Sequence, residues 1–305
     1  MAHSPVPHFT SLANALVSLF GNSAAVAHTD RVSGGDINKS YALTLTTGER
    51  IFMKANAKEN VSFFTAEAVG LSAIAQTGTI GTPYVLCTGT DDGEIVGYSF
   101  LLLKYIDGEK KRSDYFETLA RELVAMHDAD TTPFTVGGKF GFLEDNFIGQ
   151  RPQVNSSEVE WISFFRQHRL LPQFKAADRY FSDSDRNRNT KLLDNLEKFL
   201  VEPEKPSILH GDLWNGNIIP NRDGKAILID PAVYVGHREA DLAMTELFGG
   251  FPKEFYSAYR EAHPLQEGYE ERRDIYNLYH LLNHLNMFGT TYLELVKSIV
   301  AEYVG

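Results

Sequence analysis

Apolar residues in the first hundred positions alternate between two periods. From Thr10 to Phe20 they return every three or four residues, with Phe9, Leu12, Ala13, Leu16 and Phe20 on one side, which predicts a helix. Ala25 to Val32, the alternating Tyr41, Leu43 and Leu45, and Arg50 to Ala55 read as strands, with a Thr47-Gly48 turn before the last. Glu59 to Gln76 returns to helical spacing and stops near Gly78, a usual place for a C-terminal glycine. Strands are expected again near Tyr84–Leu86 and Tyr98–Lys104. Beyond Tyr105 helical spacing takes over, in Asp114–His127, Ser156–Leu171, Arg186–Leu200, Arg238–Phe248, Lys253–Tyr259 and Glu270–Phe288. The polar run Asp183 to Asn189 reads as a solvated loop or a helix start. The expected fold class is α+β, with a small mixed lobe over 1–105 and a larger, mainly helical lobe over 106–305. Ile106-Asp107-Gly108 is the expected hinge.

Composition narrows the function more than the fold. With 43% hydrophobic and 23% charged residues the chain reads as an ordinary globular protein. Its net charge of −11 argues against nucleic acid as a partner, because phosphate backbones need a basic face. The single cysteine, Cys87, cannot form an internal disulfide or a structural zinc site, which fits a reducing cytoplasm. No secretory signal and no membrane-spanning run is expected, because Asn14 and Ser18 break the N-terminal apolar stretch.

The most specific stretch runs from Leu209 through His210-Gly211-Asp212-Leu213-Trp214-Asn215-Gly216-Asn217. A further acid follows in Ile229-Asp230-Pro231. Phosphoryl transfer needs a carboxylate to orient the attacking hydroxyl and oxygen ligands to hold Mg²⁺ on the phosphates. Asp212, Asn217 five residues later and Asp230 supply that set, in the spacing of a kinase catalytic loop. Asn217–Pro220 and Lys225–Asp230 read as two strands. A two-residue Asp223-Gly224 turn would set Arg222 opposite Lys225 and Asn217 opposite Asp230. Their Cβ atoms would then be about 5 Å apart, close enough to share one cation.

Two signals precede this motif. Gly34-Gly35 between strands allows a tight turn with backbone N–H groups facing an anion, or else is an ordinary hairpin turn. Lys54 lies in the apolar strand Ile51-Phe52-Met53-Lys54-Ala55, and Glu67 lies on a helical face with Phe63, Leu71 and Ile74. A carboxylate in an apolar stripe requires a cation, and Lys54 is the nearest candidate. A lysine held by a helix carboxylate can aim its ammonium at the α- and β-phosphates of ATP.

Together these residues resemble the fructosamine kinases, or ketosamine-3-kinases, relatives of the aminoglycoside phosphotransferases and choline kinases in the protein-kinase-like fold. The resemblance spans nearly the whole chain. It includes Ser33 to Tyr41, Phe52-Met53-Lys54, Phe64 to Ala68, Phe140-Gly141-Phe142, Pro152 to Asn155, Trp161 to Arg169 and Tyr276 to Gly289. Trp214 within the catalytic motif, and Gly236 to Met244 with its Arg238-Glu239-Ala240-Asp241-Leu242-Ala243-Met244 run, are the most specific parts.

The resemblance implies ATP- and Mg²⁺-dependent phosphorylation of the sugar 3-hydroxyl of ketosamines, free or protein-bound. The phosphorylated adduct then falls apart, so the family is viewed as deglycation enzymes. It further implies that 1–105 binds nucleotide and 106–305 carries catalysis and substrate. Asp212 becomes the base, Asn217 and Asp230 the metal ligands, and Lys54, positioned by Glu67, the phosphate-binding cation. Gly34 and Gly35 join the phosphate loop, and the backbone of Lys104, Tyr105 and Ile106 holds adenine. His210 and Asp241 give structural support. Trp214 is a candidate to pack on the sugar, or else against the core. Some relatives carry a redox-sensitive cysteine in the phosphate loop. Ser33 to Tyr41 has none, so that switch is not expected here.

Other readings stay open at this point. The same fold could phosphorylate an aminoglycoside, choline or a free sugar, or bind nucleotide without catalysis as a pseudokinase. His280 and His284 share the i, i+4 spacing of a zinc helix, but Leu281 stands where the general-base glutamate of that motif belongs. Lys110-Lys111-Arg112 reads as a solvated run, and Met244, Leu247 and Phe248 as core. The sequence is compatible with a monomer and does not fix the oligomeric state.

Overall fold

The computed structural model describes residues 6–33, 38–93, 95–108 and 110–305. The chain forms two compact units, one of residues 1–113 with 219–230, the other of residues 114–218 with 231–305. Gly34 and Gly35 lie outside the described residues.

In the first unit the described residues form a six-stranded sheet. Its strands are β1 (His8–Phe9), β2 (Val26–Val32), β3 (Lys39–Leu45), β4 (Arg50–Ala57), β5 (Val85–Asp91) and β6 (Tyr98–Lys104), in the order β1-β5-β6-β4-β3-β2. Side chains alternate across the sheet and give it two apolar faces. Leu43, Leu45, Ile51, Met53, Phe100 and Leu102 pack with Leu16 of α1 (Leu12–Phe20). Leu101 and Leu103 pack with Phe64, Ala68 and Leu71 of α2 (Val61–Gln76). Helix α1 starts later than its periodicity suggests, because the Ser11 hydroxyl caps it and Phe9 belongs to β1. On α2 the buried stripe runs through Phe64 rather than Phe63. Helix α2 ends as expected, with Gly78 at φ +67°.

The second unit is mainly helical. Its helices are α3 (Tyr115–His127), α4 (Trp161–Phe164), α5 (Leu171–Ala176), α6 (Asp183–Leu193), α7 (Glu239–Leu247), α8 (Lys253–Ala262), α9 (Tyr269–Phe288) and α10 (Leu293–Val304). Short strands β7 (Asn146–Ile148) and β8 (Arg151–Gln153) pair with each other. Strand β9 (Ser207–Leu209) pairs antiparallel with β12 (Tyr234–Gly236), while the hairpin of β10 (Ile218–Pro220) and β11 (Ala226–Leu228) belongs, Ile218 apart, to the first unit. The run Asp183 to Asn189 is a helix start, because Ser182 and Asp185 cap each other reciprocally. The helix expected from Ser156 begins only at Trp161, where Glu202 accepts from the Trp161 and Ile162 amides. It passes through a π-helical segment, Phe165–Leu170, that periodicity does not show. Among the described residues no helix is long and apolar enough to cross a membrane.

Candidate active site

The first unit gathers Lys54, Glu67 and Asp230. Lys54 lies on β4 opposite Leu101 of β6, with its side chain 8% exposed. Its ammonium donates to Glu67 Oε1 at 2.6 Å and to an oxygen of Asp230. Burial opposes the lysine's charge, but the fields of Asp230 and Glu67 outweigh it and hold its pKa above the ordinary value. Burial pushes the Glu67 carboxyl up to about 7, against the pull of Lys54. The fixed element is therefore a permanently charged ammonium, held between two acids that arrive from a helix and from the far end of the chain.

Asp230 arrives by a route the sequence does not show. Strands β10 (Ile218–Pro220) and β11 (Ala226–Leu228) form the hairpin. Its tip closes by Asn221 N–H to Lys225 O at 2.8 Å and Gly224 N–H to Asn221 O at 2.9 Å. That is a three-residue loop, so the expected pairing of Arg222 with Lys225 does not form. The cause is the Asn221 side chain, whose Oδ1 accepts from the amides of Asp223 and Lys225 at 2.9 Å each. The register that would set Asn217 opposite Asp230 is lost with it. Asn217 lies in a 3₁₀ turn, and Asp230 lies beyond the end of β11. Asp230 has φ +55°, alone among the described non-glycine residues in being positive. Left-handed backbone at an L residue marks a position the surroundings hold against its preference. Part of that hold is Gly81, whose carbonyl accepts from Leu228 N–H at 2.9 Å and whose missing Cβ would stand 2.4 Å from Ile227 Cδ1.

Lys104, Tyr105 and Ile106 end β6 and continue from it. The Lys104 side chain is exposed, while Arg50 lies 4.0 Å over the Tyr105 ring and 3.5 Å from Asp107.

The second unit holds the loop of Asp212. Gly211 has φ +80°, and a Cβ there would stand 2.0 Å from Ala232 O, so no other residue fits. The buried Asp241 carboxylate accepts from His210 N–H at 2.7 Å and Gly211 N–H at 2.9 Å. His127 Nε2 reaches Asp241 at 3.2 Å, and His127 Nδ1 meets the Tyr259 hydroxyl at 2.8 Å. Burial alone would raise the Asp241 carboxyl, but the His127 ring and the Gly211 amide outweigh it and hold its pKa below the usual range. The Asn217 amide donates to the Asp212 carbonyl at 2.9 Å and to Asp212 Oδ2 at 3.1 Å. Its nitrogen faces Asp212, which leaves Oδ1 as the oxygen for a hard cation.

Trp214 is 38% exposed, which removes it from the core. Its indole lies over Gly216 and meets Phe248 edge-to-face with centroids 6.3 Å apart. Phe248 packs on His284 at 4.8 Å, and His284 on Tyr292 at 5.1 Å. Sequence reasoning assigned Phe248 to the core and gave His284 no role. His280, weighed beside it, received no role either, and His127 and Tyr259 were missed. A polar ring on the apolar stripe of α3 was the available signal for His127.

The segment after Asp230 is held by motif residues whose purpose the sequence left blank. Asn146 donates to Val233 O at 2.7 Å, Gln153 to Ala232 O at 3.0 Å, and Tyr279 to Gln153 Oε1 at 2.6 Å. Arg169 is fully buried, donates to Val154 O and Asn155 Oδ1 at 2.7 Å each, and lies against the Tyr234 and Phe164 rings. Elsewhere in this unit the buried Glu239 and Arg272 pair through bonds of 2.7 and 2.8 Å, tying α7 to α9. In the first unit Cys87 is buried, and burial pushes its thiol up to about 12, which makes it a poor redox sensor.

Comparison with known proteins places this arrangement. The family model for fructosamine kinase matches residues 8–305. A probable ketoamine kinase of Synechocystis is 35% identical, covering 98% of each chain. The chloroplastic protein-ribulosamine 3-kinase of Arabidopsis thaliana is 36% identical, covering 99% of this chain and 92% of that one. A crystal structure from Haemophilus somnus assigned as a fructosamine-3-kinase superposes with a TM-score of 0.83 at 30% identity, covering 97% of both chains. The fold is α+β of the protein-kinase-like type, shared at much lower identity with solved phosphotransferases of other small molecules. The chain belongs to the fructosamine kinase family.

Proposed function

We infer that the protein transfers the γ-phosphoryl group of ATP to the sugar 3-hydroxyl of ketosamines, the first step of deglycation. The observation that carries this is a family match across residues 8–305 in a chain whose sequence retains all of Lys54, Glu67, Asp212, Asn217 and Asp230. A pseudokinase has no need of the full set.

The roles follow from chemistry. The sugar hydroxyl attacks the γ-phosphorus, its proton passes to Asp212, and ADP leaves with the electrons of the broken P–O bond. Lys54 holds the α- and β-phosphates, and Glu67 keeps the ammonium aimed. Asn217 Oδ1 and the Asp230 carboxylate are hard oxygen donors of the kind Mg²⁺ takes. When bound, Mg²⁺ supplies charge neutralisation on the phosphates. Asp241 and the His210 backbone fix the loop. The connecting backbone of Lys104 to Ile106 is assigned to adenine, and Gly34 and Gly35 to the phosphates. Trp214 offers a half-exposed aromatic face in the Asp212 loop that suits the C–H surface of a sugar. Phe248 and His284 pack behind it. The substrate is a small ketosamine or one carried on a protein amine, and the setting is cytoplasmic.

Mass spectrometry of an acceptor panel with Mg-ATP tests the reading. The panel holds fructosyl- and ribulosyl-lysine, free and on protein, with choline, an aminoglycoside and free sugars. A gain of one phosphate on ketosamines alone is expected. Phosphate on another acceptor class instead overturns the substrate, and no transfer to any acceptor overturns the activity.

A further inference from the structure

His280 lies on α9 with its ring buried, 4% exposed. Its Nδ1 is shielded from solvent and has no hydrogen-bond partner. What it faces is Asp212, with Nδ1 3.9 Å from Oδ1. The other oxygen of that carboxylate, Oδ2, accepts from Asn217. A buried nitrogen without a partner loses the hydrogen bond that water would give it, so its place beside the Asp212 carboxylate calls for a reason. The ring is neutral: burial, then His284 on the same helix and Arg169 from the π-helical segment, push its pKa down to about 3 against the pull of Asp241 on α7. A neutral ring facing a carboxylate favours the tautomer with hydrogen on the facing nitrogen.

We propose that His280 is a positioning residue for Asp212, its Nδ1–H closing onto Oδ1 when the acceptor hydroxyl engages the carboxylate. Hydrogen bonds of this kind are often long without substrate and tighten in the reacting complex. An approach of about 1 Å brings the pair to bonding distance. The carboxylate is then held from both sides, by Asn217 at Oδ2 and His280 at Oδ1. Its rotation is fixed without a second charge that would weaken it as a proton acceptor. Sequence spacing alone offers these histidines as a zinc pair; the structure turns His280 toward Asp212 and His284 toward Phe248 and Tyr292 instead.

The kinetic part of the test rests on the ketosamine kinase reading, and the spectroscopic part does not. His280→Leu keeps the bulk and removes the donor. It should lower kcat about 10- to 100-fold, the worth of one hydrogen bond to a charged group, with KM for ketosamine and Mg-ATP within about twofold. His280→Asn sets an amide N–H near the Nδ1 position and should restore most of kcat. His280→Gln, whose amide reaches the Nε2 position, should not, and it serves where the leucine variant fails to fold. Equal losses in the asparagine and glutamine variants, or a loss confined to KM, would overturn the proposal. Histidine-selective ¹⁵N NMR of the wild type should show His280 protonated at Nδ1, whatever the acceptor proves to be. The opposite tautomer would overturn it even if ketosamines are phosphorylated.

Discussion

The two units hold their working groups by different physics. Around Lys54 the means is charge: one ammonium between two carboxylates, each contributed by a different element. Around Asp212 it is an amide side chain and a loop braced through its backbone. Asp241 takes two loop amides, His127 and Tyr259 stand behind it, and Asn217 holds Asp212 directly. A phosphate-binding cation gains from strong nearby charge that keeps it ionised. A proton acceptor needs a fixed carboxylate whose affinity for the proton is not drained by a cation, and neutral groups provide that. Both tryptophans, Trp161 and Trp214, lie in the second unit, so tryptophan fluorescence reports that unit.

The largest effect separating the two regions is expected at Asp241. Asp241→Ala strips the His210 and Gly211 amides of their acceptor inside a buried site, at about 1–3 kcal/mol for each orphaned group. Fluorescence-monitored urea unfolding should show that loss, and turnover should fall with it even in the fraction that stays folded. Stability within about 0.5 kcal/mol of wild type, the scatter of surface substitutions, would show that the loop is held some other way.

Glu67→Gln should act differently. Lys54 keeps Asp230, so the ammonium survives, but its direction loosens. KM for ATP should rise about tenfold with kcat less affected, since the interaction serves ground and transition states alike. Stability should not suffer at pH 8. A carboxyl whose folded pKa is raised to about 7 stabilises the fold below its ordinary value of 4.5, and that contribution is gone once pH passes 7. A fall in kcat with KM unchanged would remove Glu67 from the role of aiming Lys54.

A smaller and more gradual effect is the acid response of the second unit. Burial pushes His237 and His280 down to about 3 from 6.5. The unfolded chain therefore binds protons that the fold refuses, and stability is lost as pH falls from 6.5 toward 3. The slope should approach about 2.7 kcal/mol per pH unit, the limit for two protons. Tryptophan-monitored urea unfolding at a series of pH values reads it. A flat profile between pH 6 and 4 would contradict the neutral-donor account of this region.

How much of this the sequence discloses depends on how local the physics is. The Lys54–Glu67 pair is legible because two charges interrupt apolar patterns, and each needs a partner. The contact of Asn217 with Asp212 is legible because the two residues lie five positions apart. The hairpin misleads because Asn221 can close a turn with its side chain as well as Asp-Gly can with backbone, and only packing chooses. The support of Asp241 is invisible because His127 lies 114 residues away along the chain. The left-handed Asp230 has no sequence sign at all, since aspartate occupies ordinary backbone just as readily.

We infer transfer to a ketosamine 3-hydroxyl with Asp212 as the proton acceptor. Its most direct test follows fructosyl-lysine and Mg-ATP by NMR with wild type and with Asp212→Asn, correlating ³¹P with the sugar protons. The account predicts a phosphate coupled to the proton on C3 in the wild type. In the variant, turnover should be lower by about 10²- to 10⁴-fold, the usual worth of a positioned base, with ATP affinity kept. Phosphate at another carbon, or full turnover by the variant, would contradict it.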